Sequence, residues 1–352
     1  MLGLAAIPLG VRCRFYDPDG EAPAAEVGEH QRAEFDDTAS LARFADGLDA
    51  VTYEFENVPV LAAQSLSRRL PVYPPVAALE ASQERLAEKT FFEQLGIATT
   101  PFAAADNPDQ LRTAIGRIGL PTVVKTRRFG YDGKGQMVVR RNEEIESLWH
   151  QLGGGPLIVE GFVPFERELS IIAVRGQNGE IRTYPLVQNT HRDGILRLSI
   201  APAPSVSTAL QHSADQIARK AMDALNYVGV LAIELFDVGG RLLVNEMAPR
   251  VHNSGHWTIE GAETSQFENH VRAVMGLPLG DVATRGYSAM VNLIGTLPDT
   301  AAVLAVPGAH LHLYGKAPRP KRKIGHITVR ANDSTTLQAN LSTIMNLIGD
   351  GQ

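Results

Sequence analysis

The chain is poor in cysteine, in long apolar runs and in excess charge, and each shortage excludes something. One cysteine in 352 residues leaves no partner for an intramolecular disulfide and rules out a cysteine metal cluster. Cys13 therefore reads as filler in an apolar strand. No apolar run reaches the roughly 20 residues needed to cross a bilayer, so no membrane association is expected. The opening MLGLAAIPLG lacks the charged segment and cleavage pattern of a secretory signal, which makes a cytoplasmic enzyme the expectation. A net charge of -6 argues against a nucleic-acid partner, although a local basic patch would still hold one phosphate. Internal repeats and low-complexity tracts are absent as well.

What is present is an ordinary globular composition, 44% hydrophobic and 20% charged, over a length that implies two or three subdomains. The first segment alternates strand and helix. Strands are expected at Val11–Tyr16 and Ala50–Phe55, and helices at Leu41–Ala45 and Val60–Arg69, the pattern of a parallel α/β unit. Met1 to Gly10 reads as the end of a helix with no strand before it. One helix is expected over Pro75–Leu95, ending at Gly96. A second unit follows, with helices Asp109–Ile118 and Glu143–Leu152 and strands Pro121–Thr126, Gln136–Arg140 and Leu157–Gly161. A third, mostly antiparallel unit has strands near 168–175, 180–185 and 194–200, then a helix Ser207–Leu225. That helix places Leu210, Ala214, Ile217, Ala221 and Leu225 on one face, which is core spacing.

The densest chemistry lies between Val228 and His270. VGVLAIELF and RLLVNEM read as an apolar hairpin carrying Glu234 and Glu246, with Asn245 beside the second. Carboxylates on apolar strands are costly unless a cation or hydrogen bonds compensate them, and magnesium shared with phosphates is the natural compensation. Arg250, His252, Asn253, Ser254 and His256 follow at once. To share a cation, Glu234 and Glu246 must project from one face, and side chains alternate along a strand. An even-length turn through Asp237–Gly240 would point them to opposite faces. A three-residue turn, or a bulge at Gly239 or Gly240, is therefore expected.

A second segment, VVKTRRFGYDGKGQ, delivers Lys125 at a strand end and then a loop with glycines at 130, 133 and 135. Such a loop lets backbone amides approach phosphate oxygens, with Lys125 and Lys134 supplying charge. A plain hairpin turn with exposed basic residues is the alternative. It is neither a Walker A sequence nor GxGxxG, and it suits a lid over a nucleotide. A third segment, Ile158–Val163 followed by Glu166, Arg167 and Glu168, reads either as an edge strand or as a purine-binding hinge.

In this order the three segments resemble the ATP-grasp superfamily. KTRRFGYDGKGQ, VPFERELS, YPLVQNTHRDGIL, YVGVLAIELF, NEMAPRVHNSGHWTIEGAETSQFE and MVNLIG resemble more narrowly the N5-carboxyaminoimidazole ribonucleotide synthetases, over about residues 17–329. The resemblance implies a mixed α/β and α+β ATP-grasp fold: an N-terminal parallel, Rossmann-like α/β subdomain (1–84) lacking its first strand, an ATP-grasp domain (85–275) with a lid over about 101–165, and a C-terminal domain (276–352). It implies a ligase that joins bicarbonate to the amine of 5-aminoimidazole ribonucleotide, cleaving ATP through a carboxyphosphate. Magnesium, or manganese, and a homodimer are implied too.

Residue by residue, the resemblance assigns nucleotide-phosphate contacts to Arg85 and Lys125 and the phosphate-covering loop to Gly130, Tyr131, Asp132, Gly133, Lys134, Gly135 and Gln136. Glu160, Gly161, Phe162 and Val163 match the adenine hinge, Glu168 the ribose contact, and His191 a further nucleotide-site residue. Glu234 and Glu246 match metal ligands, with Asn245 beside them. Tyr131, Asp132, Arg250 and His252 match catalytic positions; Asn253 and Ser254 the substrate pocket; Lys316 and Arg322 the ribonucleotide phosphate contacts. On their own residues, His191 could be structural and KAPRPKRK merely a solvated basic face, and Trp257 reads as packing. Family members begin with a strand and a GGGQLGRM-like loop, so a truncated or misassigned start is expected, with low stability and weakened ribonucleotide binding. Another carboxylate–amine ligase of the superfamily, or a silent nucleotide-binding paralogue, are the other readings.

Overall fold

The computed structural model describes residues 1–130, 134–141 and 145–349. Its strands are β1 (Arg14–Tyr16), β2 (Glu29–Gln31), β3 (Phe102–Ala105), β4 (Thr122–Thr126), β5 (Gln136–Val139), β6 (Leu157–Gly161), β7 (Arg167–Arg175), β8 (Ile181–Thr183), β9 (Val187–Arg192), β10 (Ile195–Ala201), β11 (Gly229–Val238), β12 (Arg241–Ala248), β13 (Tyr287–Ile294), β14 (Ala309–Leu313) and β15 (Lys323–Ala331). Among the described residues they form a floor sheet of nine strands, ordered β12-β11-β7-β9-β10-β13-β15-β14 with β8 on β7, a roof sheet ordered β3-β6-β4-β5, and a parallel pair β1-β2. Because β13 pairs with β10, the C-terminal strands continue the floor.

Alternation along the floor strands gives each face its own core. Leu169, Ile171, Leu231, Ile233 and Leu235 point to one side, where the helix Thr208–Ala224 buries Leu210, Ala214, Ile217 and Ala221 against them. That helix starts at Ser207, whose side chain caps the Leu210 amide. Ile172, Val174, Val230 and Ala232 point to the other side, under the helix Gln266–Val274 and the fully buried Trp257. Trp257 packs edge-on to Tyr184. The roof sheet is covered by the helix Pro108–Ile118 through Leu111, Ala114 and Ile115.

Three expectations need correction. Ala50–Phe55 is reduced to a single parallel bridge, Val51 to Val72; a strand persists only where neighbours pair its backbone, and beyond Val51 none does among the described residues. Pro75–Leu95 is two helices, Val76–Ser82 and Arg85–Gln94. The break follows from Gln83, whose amide donates to the carbonyls of Glu56 and Val58, and from Glu84, which turns extended and caps Ala87. It puts Arg85 at the start of a helix that points into the crevice between roof and floor.

The third correction concerns the hairpin. Val238 pairs with Arg241, so the turn is a regular two-residue one, with Gly239 and Gly240 both at positive φ (61° and 80°), as this tight hairpin type demands. The irregularity lies instead at Asn245: Leu235 pairs with Val244 but Glu234 with Glu246. The extra residue resets the alternation. Val244 and Met247 both reach the helix side, and Glu246 turns to face Glu234. The shared face exists, but the bulge that creates it is five residues beyond the turn.

Candidate active site

Cross-strand pairing builds a polar row on the crevice side of the floor. Glu246 lies opposite Glu234 and Glu234 opposite Ser170; Glu168 lies opposite Asn189 and Asn189 opposite Ser199. Above this row lies a cavity of about 340 Å³. Glu168, His191, Glu234, Asn245 and Glu246 line it from the floor, Lys125 and Gln136 from the roof, and Arg85, Glu88 and Gly130 from the side. Arg250, His252, Asn253 and Lys323 line its other end.

The two floor glutamates differ sharply. Arg85 donates to Glu246 Oε2 at 2.9 Å and to the Gly130 carbonyl at 3.1 Å. Burial works to raise the Glu246 carboxyl, but Arg85 and Lys125 outweigh it and hold the group below its ordinary range. Among the described residues no Arg or Lys hydrogen-bonds Glu234; His252 Nε2 lies 3.5 Å away, and burial is offset only in part by the positive charge of His191 and Lys323. Burial, reinforced by the negative Glu246, pushes Glu234 up to about 7. Glu88, which accepts from the Met247 amide at 2.6 Å, is raised to about 8 by burial and by Glu246. Acidic groups face one another here without enough positive charge.

Around them the remaining side chains are held in place. His191 Nδ1 lies 2.8 Å from Glu168 Oε2; burial lowers its affinity for a proton, but that carboxylate more than restores it and His191 is raised. Arg250 is clamped between Glu56 and the carbonyl of Val251. His252 is held well below its ordinary value, first by burial and then by Arg250. Asn253 and Asn292 exchange amide hydrogen bonds of 2.6 and 3.0 Å.

Several expected site residues stand elsewhere. Glu160 does not line the cavity; it is 2% exposed inside the roof, 3.0 Å from Lys125 and 3.6 Å from Lys89. Burial would raise it, yet the two lysines bring it down to about 2. Gly161 donates to the Pro101 carbonyl, and Phe162 is 39% exposed with Val163 beyond it at the end of β6. Gly135 accepts from the Thr126 amide, and Lys134 is exposed. Ser254 is fully buried beneath His252. Lys316 lies over the Tyr314 ring and Arg322 donates to the Ala317 carbonyl; neither lines the cavity, whereas the neighbouring Lys323 does. Tyr131, Asp132 and Gly133 lie outside the described residues.

Glu56, Glu88, Lys89 and Lys323 were missed by reading the chain. Glu88 and Lys89 are adjacent, so no single helical face contains both, and their burial (2% and 1% exposed) depends on enclosure from two sides. Glu56 carried a readable signal, because VTYEFENV is an apolar stretch with carboxylates like the hairpin itself.

A cleft between a roof and a floor of antiparallel strands, with paired acids below and basic groups above, defines an ATP-grasp protein. Family models agree: the ATP-grasp domain matches residues 90–267, a ribonucleotide synthetase preATP-grasp domain residues 1–83, and a phosphoribosylaminoimidazole carboxylase C-terminal domain residues 288–340. The chain belongs to the N5-carboxyaminoimidazole ribonucleotide synthase family. The enzyme of that name from Pseudomonas aeruginosa is 51% identical over 99% of this chain and 96% of its own. The crystal structure of the Thermus thermophilus synthetase superposes with a TM-score of 0.96 at 59% identity, covering 99% of this chain and 96% of that one. An Aspergillus clavatus synthase, solved with ADP and 5-aminoimidazole ribonucleotide, gives 0.92 at 30% identity over 99% and 95%.

Proposed function

We propose that this protein ligates bicarbonate to the amine of 5-aminoimidazole ribonucleotide at the expense of ATP, giving N5-carboxyaminoimidazole ribonucleotide, ADP and phosphate. The observation that carries the reading is the Glu234–Glu246 pair, two acids facing each other beneath Lys125 and Arg85, with Glu234 only partly compensated among the described residues. A phosphoryl-transfer site requires that imbalance, because the compensating charge arrives with the substrate.

The donor set suits magnesium, a hard cation that takes a few carboxylate oxygens and completes its shell with phosphate and water. Among the described residues no group of three or more His, Cys, Asp or Glu could hold a metal alone, which fits a cation shared with a nucleotide. Glu234 and Glu246 would hold it, and manganese, with the same ligand preferences, would serve as well. When bound, the ion supplies neutralisation of phosphate charge.

The chain's own residues do the rest. Arg85 and Lys125, with Gly130, Lys134, Gly135 and Gln136, bind the phosphates; Glu168 takes ribose hydroxyls with His191 behind it; and the backbone of Glu160–Val163 meets adenine. Bicarbonate oxygen attacks the terminal phosphorus, ADP leaves, and the resulting carboxyphosphate is held by donors from Arg250 and His252 while water is excluded. The substrate amine then attacks its carboxyl carbon, a C–N bond forms, phosphate departs and the amine loses a proton. Asn253 orients the ribonucleotide, and Lys316 and Arg322 bind its phosphate. The reading includes a cytoplasmic homodimer, supported by the family; among the described residues no helix is long and apolar enough to cross a membrane.

ADP release with ATP, bicarbonate and 5-aminoimidazole ribonucleotide, each omitted in turn, tests the reading. Release is expected to need all three, and release indifferent to the ribonucleotide would sink it.

A further inference from the structure

Beneath His252 runs a chain of buried hydrogen bonds that reaches across three floor strands. Ser199 Oγ donates to Asn189 Oδ1 at 2.8 Å, Asn189 Nδ2 to Ser170 Oγ at 3.0 Å, and Ser170 Oγ to Ser254 Oγ at 2.8 Å. Ser254 Oγ lies 2.8 Å from His252 Nδ1. The three serines are fully buried and Asn189 is 5% exposed, so water does not offer alternative partners. The backbone amide of Ser254 also points at His252 Nδ1, at 3.3 Å.

The protons in this chain can be counted. A backbone N–H only donates, so the long Ser254 amide contact favours a lone pair on Nδ1. The hydroxyls agree. Ser170 receives a proton from Asn189 and passes its own to Ser254, and Ser254 passes its own to Nδ1. A proton on Nδ1 would instead enter Ser254 Oγ, leave one hydroxyl of the Ser170–Ser254 pair buried without an acceptor, and set N–H against N–H. Unmade hydrogen bonds of this kind are costly in a buried site.

We infer that the Ser199–Asn189–Ser170–Ser254 relay holds His252 with its only ring proton on Nε2, so that His252 meets the reacting anion as a hydrogen-bond donor and not as a base. Nε2 is the nitrogen that faces the acidic floor, 3.5 Å from Glu234 Oε1. The lone pair that a base would need is on Nδ1, turned away into the protein. A donor at this position serves an anion carrying phosphoryl and carboxyl oxygens. The proton released by the amine must leave by another group. Asn189 is thus the positioning residue that acts through His252, and Ser170 passes on to Ser254 the direction Asn189 sets. The donor role rests on the reaction proposed above; the tautomer does not.

The test uses the full-length protein with nitrogen-15 labelled histidine, the His252 signals being those lost in His252→Gln. In the wild type, Nδ1 is expected at the shift of an unprotonated ring nitrogen and Nε2 at that of a protonated one. Asn189→Asp replaces the donor by a second acceptor; both Ser199 and Ser170 must then donate to it, and Ser254 turns to donate to Ser170 and accept from Nδ1, the long amide contact of 3.3 Å being given up. That variant is expected to move the proton to Nδ1 and to lower kcat for ribonucleotide-dependent ADP release at least about tenfold, with KM for ATP within about twofold. Ser170→Ala removes two hydrogen bonds yet leaves Ser254 donating to Nδ1, so the tautomer is retained and kcat falls at most about threefold. A merely structural network would make Ser170→Ala the more damaging of the two, and that result overturns the inference. A wild-type signal with the proton on Nδ1 overturns it without any variant, should Asn189→Asp fail to fold. Loss of ribonucleotide dependence in the wild type would sink the proposed reaction instead and leave the tautomer measurement standing.

Discussion

Glu160 in the roof and Glu234 in the floor are both strand-borne carboxylates packed away from bulk solvent, and their situations are opposite. Glu160 lies between Lys125 and Lys89 and is brought down to about 2. Glu234 faces Glu246 across the ladder, has His252 at 3.5 Å as its nearest ion-pair partner among the described residues, and is pushed up to about 7. The roof has balanced its charge internally; the floor has not. A buried acid with its own cations holds the fold together, whereas one left against another acid is poised for a ligand that brings positive charge. The same contrast separates Lys89, locked to Thr100 and the Val244 carbonyl, from Arg85, whose guanidinium reaches over the cavity to Glu246.

Removing the partly compensated acid should have the largest effect. Glu234→Gln is expected to cut ADP release by about a thousandfold while thermal stability stays level or rises; a melting temperature that drops along with activity would make Glu234 structural after all. Glu160→Gln should do the reverse in kind. Two lysines lose their buried counter-charge, and urea unfolding should report a loss of about 3–5 kcal/mol. An unchanged midpoint would break the claim that the roof balances its own charge.

The pH dependence comes next in size, and its sign differs between the two acids. Glu234 is raised in the folded state from 4.5, so its contribution is fully present below about pH 4.5 and is lost as pH rises through about 7. Glu160 is depressed, so its contribution is present above about pH 4.5 and is lost as pH falls toward 2. Between pH 5 and 8 the ligand-free wild type should therefore lose on the order of 1–3 kcal/mol relative to Glu234→Gln. Adding magnesium and nucleotide should flatten that difference, and parallel stability curves without ligand would contradict it. The smallest effect is expected at the turn. Gly240 has φ 80° and open space where a Cβ would sit, so Gly240→Ala should cost only about 1 kcal/mol of backbone strain and leave ADP release intact, as the bulge at Asn245 and not the turn aligns the acids.

These contrasts mark what could be read along the chain. The face of the helix Thr208–Ala224, the hairpin and both of its glutamates were legible because each depends on spacing within a few residues. The bulge at Asn245 was not, since nothing in LVNEM distinguishes a residue that pairs from one that is skipped; the demand that two acids share a face pointed instead to a three-residue turn or a bulge at Gly239 or Gly240. Glu160 was legible as a charged residue on an apolar strand but not in its direction, because the lysines that draw it inward sit 35 and 71 residues earlier, at positions 125 and 89. Lys316 and Arg322 were singled out from a basic run in which Lys323, one residue further, is the one that reaches the cavity.

Local chemistry and periodicity thus determined which residue types are available, which strands and helices form, and that two acids on an apolar hairpin need a cation. The tertiary structure alone decided which acid receives one from the protein, which must await a ligand, and on which nitrogen His252 carries its proton. Charge compensation and hydrogen-bond direction are properties of pairs, and here the partners of Glu160, Glu246 and His252 meet only when separate strands and helices close on one another.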